Sequence, residues 1–143
     1  NMKDLVSHQL VKYLENRGIK HIFGLCGHTN IAVLSALEKS SIAFVNVRHE
    51  QIAAHAADGY ARVTGKAAVV LSHLGPGLTN ASTGVANAAL DCIPMVVIAG
   101  DVPSHTVPQS GRYAQRSGLR KSEFASKYSA IFKVIEKTNG TAQ

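Results

Sequence analysis

Apolar positions near the start of the chain recur at helical spacing and then give way to a short apolar run. The recurring positions are Leu5, Leu10, Val11 and Leu14. They predict an amphipathic first helix that ends near Gly18, where glycine can adopt the left-handed conformation of a helix stop. A short strand is predicted over residues 19–25, a glycine-punctuated turn over 24–30 and a second helix over 31–39.

Strand and helix patterns then alternate along the chain. The predicted elements are a strand at 42–47, a helix at 50–63, a strand at 67–71, a turn at 75–80, a helix at 81–91 and a strand at 95–99. Residues 67–71 and 95–99 are continuously apolar, which is typical of strands buried on both faces. We therefore predict the α/β class, with a three-layer doubly wound parallel sheet and helices on both faces.

The pattern weakens after Pro103. Residues 104–118 are rich in Ser, Gly, Pro and Gln, so they predict a loop. A helix near 122–128 and a last strand near 130–135 are predicted to follow.

The composition suits a core of Ala, Val, Ile and Leu, because 45% of the 143 residues are hydrophobic and only 6% are aromatic. We expect one domain over residues 2–143, with Asn1 set aside as a remnant of an expression tag. No apolar run approaches the length of a membrane span, and no signal peptide is recognised. The expectation is a soluble, cytoplasmic protein.

Basic residues are concentrated at the end of the chain. Residues 1–111 carry eight Lys or Arg and seven Asp or Glu, whereas residues 112–143 carry seven basic and two acidic residues. Of the net charge of +6, the last segment therefore carries +5, and no nucleic-acid-reading motif accompanies it. A solvated surface or a subunit contact is favoured over nucleic-acid binding.

Neither cysteine nor histidine spacing predicts a metal site. Cys26 and Cys92 lie far apart in the sequence, so we expect both to be reduced and buried. The seven His residues show no HExxH or comparable spacing. We predict no metal bound by this chain.

Glu50 stands where a predicted buried strand gives way to a helix. The ordinary structural interpretation is a first-turn glutamate that complements the helix dipole. Glycine turns that begin at Gly24, Gly75 and Gly100 also follow predicted strands. The carboxyl ends of parallel strands share one edge of a sheet, so we expect the functional site at that edge.

The first two glycine turns are not nucleotide fingerprints. The turn at 24–27 lacks GxGxxG spacing, and the turn at 75–80 lacks the lysine of a phosphate-binding GxxxxGKS or GxxxxGKT loop. Each turn alone is also compatible with a purely structural connection.

Several segments together resemble one family. They are Phe23-Gly24 with Gly27, Val47-Arg48-His49-Glu50-Gln51, the run from Ala57 to Lys66, Gly75-Pro76-Gly77-Leu78-Thr79-Asn80, and Asp91 with Pro94 before Val96-Val97-Ile98-Ala99-Gly100. In this order they are similar to the N-terminal pyrimidine-binding domain of thiamine-diphosphate-dependent enzymes, in its acetolactate synthase-like branch. The likeness covers about residues 3–103, whereas the basic segment 104–143 diverges from the family pattern.

The resemblance implies that Glu50 is the catalytic residue. In this family the glutamate hydrogen-bonds N1′ of the cofactor's aminopyrimidine and favours the imino tautomer, whose 4′ nitrogen can take the proton from thiazolium C2. The activated cofactor then reacts with a 2-oxo acid, in a carboligase or decarboxylase reaction. Such a glutamate is expected in a largely apolar pocket, because burial disfavours the charged form of a carboxylate.

The resemblance also assigns further site residues. Those expected to bind the cofactor, together with Glu50, are Gly24, Leu25, Cys26, Gly27, Gly75, Pro76, Gly77 and Asn80. Cys26 stands where many relatives carry proline. His28, His73 and Gln115 are weaker candidates for substrate contact, because a lone histidine is more often a turn or surface residue. For Arg48 and His49 the default expectation is a role in subunit contacts. For Arg62 it is a role in packing.

The family's diphosphate and Mg²⁺ site lies in a separate domain with a GDG signature, which these 143 residues lack. The resemblance therefore implies that the site forms with the diphosphate-binding domain of another subunit or of a longer chain, in a homo-oligomer. This segment alone is then not expected to catalyse. The alternative is a non-catalytic interaction module with the same fold, whose residues 112–143 bind a partner. A generic nucleotide-binding α/β domain is disfavoured by the absence of a phosphate loop.

Overall fold

The computed structural model describes residues 5–100 of the protein. The helices in this range are α1 Val6–Asn16, α2 Ile31–Leu37, α3 Glu50–Thr64 and α4 Leu74–Leu90, with a short 3₁₀ helix at His28–Asn30 directly before α2. The strands are β1 His21–Gly24, β2 Ala43–Asn46, β3 Ala68–His73 and β4 Met95–Gly100. None of the helices in this range is both long and apolar enough to cross a membrane. The elements predicted at 104–118, 122–128 and 130–135 lie outside the described residues.

The four strands form one parallel sheet in the order β2-β1-β3-β4. From β1 the chain moves across the sheet in one direction to reach β2, and from β3 it moves in the opposite direction to reach β4. The direction of winding therefore reverses between β1 and β3, where Gly24 pairs with Leu71. In open α/β sheets, ligands bind in the crevice at the carboxyl ends of the strands at such a reversal.

Two hydrophobic cores cover the two faces of the sheet. On one face, α1 and α2 share a core with Val69 and Leu71; on the other, α3 and α4 share a core with Ala68 and Val70. Successive residues of a strand point to opposite faces, and these four side chains are fully buried. This arrangement confirms the predicted three-layer α/β fold.

Helices α3 and α4 approach each other closely because the facing residues are small. The buried positions of α3 include Ala53, Ala54 and Ala57. A Cβ atom on Gly84 of α4 would stand 2.6 Å from the Cβ of Ala54 and 2.9 Å from the backbone nitrogen of His55. Glycine at position 84 therefore permits this approach.

A polar network ties α3 to the end of α4. Asp58 is 5% exposed and accepts hydrogen bonds from Nε of Arg62 at 3.0 Å and from Nδ2 of Asn87 at 2.8 Å. Arg62 also donates to Asp91 at 2.6 Å. Hydrogen bonds to Asp91 and Asp58 raise the pKa of the Arg62 guanidinium above its usual value. Arg62 thus joins the two helices through charge as well as packing.

The turn predicted at 75–80 is wrong, since these residues lie in the first turns of α4. The helix begins directly after β3, with no intervening loop. Pro76 is tolerated there because the N–H groups of a first helical turn have no intrahelical acceptor. Gly75 and Pro76 therefore belong to the helix, and the chain turns from strand to helix before them, at Leu74.

Two burial predictions also need correction. The strand predicted at 42–47 was expected to be buried, but within residues 5–100 β2 lies at the edge of the sheet, and its residues are half-buried or exposed. Cys26 and Cys92 are free and exposed. Cys26 follows the end of β1 and Cys92 follows the end of α4, so neither belongs to an element that enters a core.

Replacing Gly84 by alanine is expected to lower the free energy of unfolding by about 1–3 kcal/mol, because the added methyl group overpacks the contact between α3 and α4. The matched control is Gly59→Ala in α3, where a Cβ atom would meet nothing within 4 Å. That variant should gain about 0.5–1 kcal/mol from the better helix propensity of alanine. Denaturant titration measures both values, and a Gly84→Ala protein as stable as the Gly59→Ala protein would contradict the close packing.

Candidate functional site

Glu50 is the first residue of α3, and the residues before it fix where the helix begins. His49 is the N-cap, and its Nδ1 accepts a hydrogen bond from the backbone N–H of Gln51 at 3.2 Å. The N–H of Val47 donates to the carbonyl oxygen of Gly24 at 2.9 Å, which continues the pairing of β1 with β2. Glu50 therefore lies beside the carboxyl end of β1.

A sharp turn from β3 into α4 brings a second group of residues to the same edge. Leu74 has a φ of 55°, in the left-handed region that residues other than glycine seldom adopt. This conformation turns the chain from strand to helix within one residue. Gly75, Pro76 and Gly77 consequently follow at the edge of the sheet, in the first turn of α4.

The carboxylate of Glu50 lies against this first part of α4. Nδ2 of Asn80 donates a hydrogen bond to Oε2 of Glu50 at 3.1 Å. A Cβ atom on Gly77 would stand 2.7 Å from Oγ of Ser72 and 2.9 Å from Oε1 of Glu50. Position 77 therefore has room for both polar groups only when it is glycine. Oε1 makes no hydrogen bond within residues 5–100, which leaves it free for a ligand.

The described residues orient Glu50 without enclosing it. Glu50 is half-buried, and Asn80 and Pro76 are exposed. The apolar pocket expected around this carboxylate is therefore incomplete within residues 5–100. Ser72 beneath it is fully buried, and its hydroxyl has no hydrogen-bond partner among the described residues.

The turn after β1 is held by its own polar residues. Gly24 lies so close to β3 that a Cβ atom on it would overlap the carbonyl oxygen of Leu71. Asn30 is 1% exposed; its Oδ1 accepts from the N–H of Gly27 at 2.8 Å, and its Nδ2 donates to the carbonyl oxygen of Leu25 at 2.9 Å. These two hydrogen bonds close the turn. Cys26 lies within the turn, and its side chain is exposed.

The histidines predicted to contact substrate lie on this turn and beside it. His73 ends β3, and its Nδ1 lies 2.8 Å from the hydroxyl of Thr29. A Cβ atom on Gly27 would overlap the His73 ring, so the ring packs on the backbone of the turn. His28 is exposed in the 3₁₀ helix. Gln115 lies outside the described residues.

The candidate residues thus form two clusters at one edge of the sheet. The first contains Glu50, Gly77 and Asn80, and the second contains Gly27 and His73. Ser72 and His73 are consecutive residues of β3, and side chains that follow each other on a strand point to opposite faces. The two clusters therefore meet the end of β3 from opposite faces.

Sequence reasoning missed Thr29 and Ser72. Thr29 bonds a residue 44 positions away, and no local pattern reports such a contact. The sequence does contain a signal that could have identified Ser72, because Ser72 is the first polar residue after a continuous apolar run. A polar residue at the end of a buried strand points to the edge where ligands bind.

Two other features fall outside these clusters. An open cavity of about 600 Å³ lies between α2 and β2; Cys26, Leu34 and Phe44 are among the residues that line it, and Glu50 and His73 are not. Residues 5–100 contain no group of three or more His, Cys, Asp or Glu side chains placed to hold a metal ion.

The amino-acid sequence matches a known family and named relatives. A family model described as the N-terminal TPP binding domain of thiamine pyrophosphate enzymes matches residues 5–123. The chain is 49% identical over 102 residues to the acetolactate synthase large subunit of Buchnera aphidicola subsp. Schizaphis graminum, an alignment that covers 71% of this chain and 18% of the relative. It is 39% identical over 131 residues to the acetolactate synthase large subunit of Haemophilus influenzae, covering 91% of this chain and 23% of the relative.

A third relative matches a similar length of the chain. The chain is 44% identical over 98 residues to the probable acetolactate synthase large subunit of Methanocaldococcus jannaschii, covering 68% of this chain and 17% of the relative. The chain thus spans about a fifth of the length of these relatives. The matched residues include all four strands of residues 5–100 and both clusters at the edge of their sheet. The chain belongs to the family of N-terminal TPP-binding domains of thiamine pyrophosphate enzymes.

Proposed function

We propose that this chain is the pyrimidine-binding part of a 2-oxo acid carboligase or decarboxylase that uses thiamine diphosphate, the cofactor also called TPP. The observation that carries the proposal is the Glu50 carboxylate, which Asn80 holds at Oε2 while Oε1 has no partner within residues 5–100. Relatives named acetolactate synthase support a carboligase of that type.

The residues around Glu50 fit an aminopyrimidine ring. A ring nitrogen that is buried on binding needs a hydrogen-bond partner, and Oε1 of Glu50 offers one. Gly77 permits this position of Oε1, since a side chain there would displace it. The remaining contacts with the ring and its substituents are assigned to Gly24, Leu25, Cys26, Gly27, Gly75 and Pro76.

Thiamine diphosphate, when bound, supplies a thiazolium carbon that can add to the carbonyl group of a 2-oxo acid once it has lost its proton. Glu50 would share one proton with N1′ of the pyrimidine. Oε1 would give this proton to the ring and take it back. Asn80 keeps Oε2 occupied, so that one defined oxygen faces the ring. The chain thereby contributes general acid–base catalysis by a positioned carboxylate. Contact with the 2-oxo acid is assigned to His28 and His73. The same role for Gln115, which lies outside the described residues, remains a prediction.

The diphosphate group and Mg²⁺ are assigned to a separate domain, either in a longer chain or in another subunit. Helices α3 and α4 offer a surface for that domain. α4 contains no Asp, Glu, Lys or Arg in its 17 residues, and on α3 Ile52 is 53% exposed and Val63 is 88% exposed. Depletion of charge with exposed apolar side chains is typical of subunit contacts. We therefore propose a homo-oligomer in which this surface is covered, and expect residues 1–143 alone to be inactive.

Replacing Glu50 by glutamine in the full-length protein is expected to lower kcat by about 100-fold or more, because the neutral amide cannot exchange a proton with the ring nitrogen. The free energy of unfolding should change by no more than about 0.5 kcal/mol, since Glu50 is half-buried and makes one hydrogen bond. Turnover of a panel of 2-oxo acids with thiamine diphosphate and Mg²⁺ measures the effect. Glu38→Gln, an exposed carboxylate at the end of α2, is the matched control. Wild-type turnover in the Glu50→Gln protein would contradict the mechanism.

Replacing Gly77 by alanine tests the close approach of α4 to Glu50. The added methyl group would displace the Glu50 carboxylate, so we expect cofactor affinity to fall about tenfold and kcat to fall with it. Isothermal titration of the full-length protein with thiamine diphosphate measures the affinity. Thr83→Ala, at an exposed position of the same helix, should leave both values unchanged. An unchanged dissociation constant for Gly77→Ala would show that the cofactor does not depend on this contact.

Replacing Ile52 by aspartate tests the proposed subunit surface. A charge placed in an uncharged contact is expected to reduce the assembled mass of the full-length protein, as measured by analytical ultracentrifugation. Val6→Asp, at a 74% exposed position on the opposite face of the sheet, should assemble like the wild type. If both variants keep the wild-type mass, α3 does not contribute to assembly.

A further inference from the structure

We propose that Thr29 is a positioning residue that holds His73 in the tautomer with its proton on Nε2, so that His73 presents an N–H donor at the edge between β1 and β3. The tautomer follows from the hydrogen bonds alone. The role of the donor in binding an oxygen atom of the 2-oxo acid rests on the proposed function.

Two groups of Thr29 face the same ring nitrogen. The backbone N–H of Thr29 points at Nδ1 of His73 across 3.3 Å, and the hydroxyl oxygen lies 2.8 Å from the same atom. A backbone N–H can only donate, so Nδ1 carries a lone pair and not a proton. In a neutral imidazole the proton then sits on Nε2. A hydroxyl group can donate or accept, so it fits this tautomer by donating to Nδ1, and it is the shorter of the two contacts.

The surroundings of this contact are shaped to hold it. A Cβ atom on Gly27 would overlap the His73 ring, and a Cβ atom on Gly100 would overlap the Thr29 hydroxyl. Gly100 is also the partner of His73 in the ladder between β3 and β4. The buried side chain of Asn30 closes the turn that carries Thr29. The two glycines therefore leave room for this hydrogen bond, and the closed turn fixes the backbone that carries Thr29.

The other ring nitrogen remains available. His73 is half-buried, and its Nε2 makes no hydrogen bond within residues 5–100. A fixed N–H donor suits the carbonyl or carboxylate oxygen of a 2-oxo acid. With its proton on Nε2, His73 cannot take a proton from the substrate at that nitrogen. The geometry therefore assigns it to binding an oxygen atom, and Thr29 acts through it.

Nitrogen NMR of the full-length protein tests the tautomer directly. Protein labelled with [¹⁵N]histidine should show His73 with a protonated Nε2 and an unprotonated Nδ1, and loss of the signal in His73→Gln identifies the residue. Thr29→Ser keeps the hydroxyl and should give the same pattern. Thr29→Val keeps the shape of the side chain and the backbone N–H, which lies 3.3 Å from Nδ1, but loses the shorter contact of the hydroxyl at 2.8 Å. With only the longer hydrogen bond left, this variant should give a mixture of the two tautomers.

Steady-state kinetics test the consequence for the reaction. Thr29→Val should raise KM for the 2-oxo acid about tenfold, the effect of weakening one hydrogen bond, while Thr29→Ser restores it. The affinity for thiamine diphosphate should not change in either variant, which separates this effect from damage to the Glu50 cluster.

The two readouts distinguish failure of this inference from failure of the proposed function. A wild-type His73 with its proton on Nδ1 would overturn the inference whatever the activity. A Thr29→Val protein identical to the wild type in both tautomer and KM would also overturn it. The expected tautomers in a protein that shows no turnover with thiamine diphosphate would support the role of Thr29 and overturn the proposed function.

Discussion

The candidate site depends on how closely the backbone of α4 passes α3. Gly77 and Gly84 are seven residues apart, hence on the same face of α4. A Cβ atom at either position would collide with α3, at the carboxylate of Glu50 in one case and at Ala54 in the other. The contact that packs the two helices therefore also sets the distance between Glu50 and Asn80. A change that moved α4 outward would open the core and separate these two side chains together.

The position of α4 depends in turn on β3. Leu74 adopts a left-handed conformation, which costs of the order of 1–3 kcal/mol for residues other than glycine. Such strain persists when the surrounding structure over-determines it, and β3 provides that surrounding, because Val69, Val70 and Leu71 are fully buried. A looser connection would avoid the strain, but it would not begin α4 at the end of the strand. The strained residue thus lies between the most buried strand and the residues proposed to face the cofactor.

The sequence predicted the layers and the sheet edge at which the candidate residues gather, because continuous apolar strands and strand–helix alternation are local patterns. It did not predict that residues 75–80 are helical. Gly and Pro are common in turns, and only the structure shows that Gly77 instead accommodates Glu50 and Ser72. The exposure of β2 was also beyond local patterns, since it follows from the position of β1 between β2 and β3.

The two interpretations of Glu50 considered from the sequence differ in what they require of distant residues. A glutamate that only complements the helix dipole needs no partner, whereas Glu50 accepts a hydrogen bond from Asn80, thirty positions along the chain. Residues 5–100 thus supply orientation, but they leave Glu50 half-buried and Asn80 exposed. Under the proposed function, shielding from water has to come from the domain that covers α3 and α4, and exclusion of water limits proton exchange to the bound ring. The outer sides of the two helices would then control assembly while their inner sides orient the carboxylate, so that the chemistry begins only when the partner domain is in place.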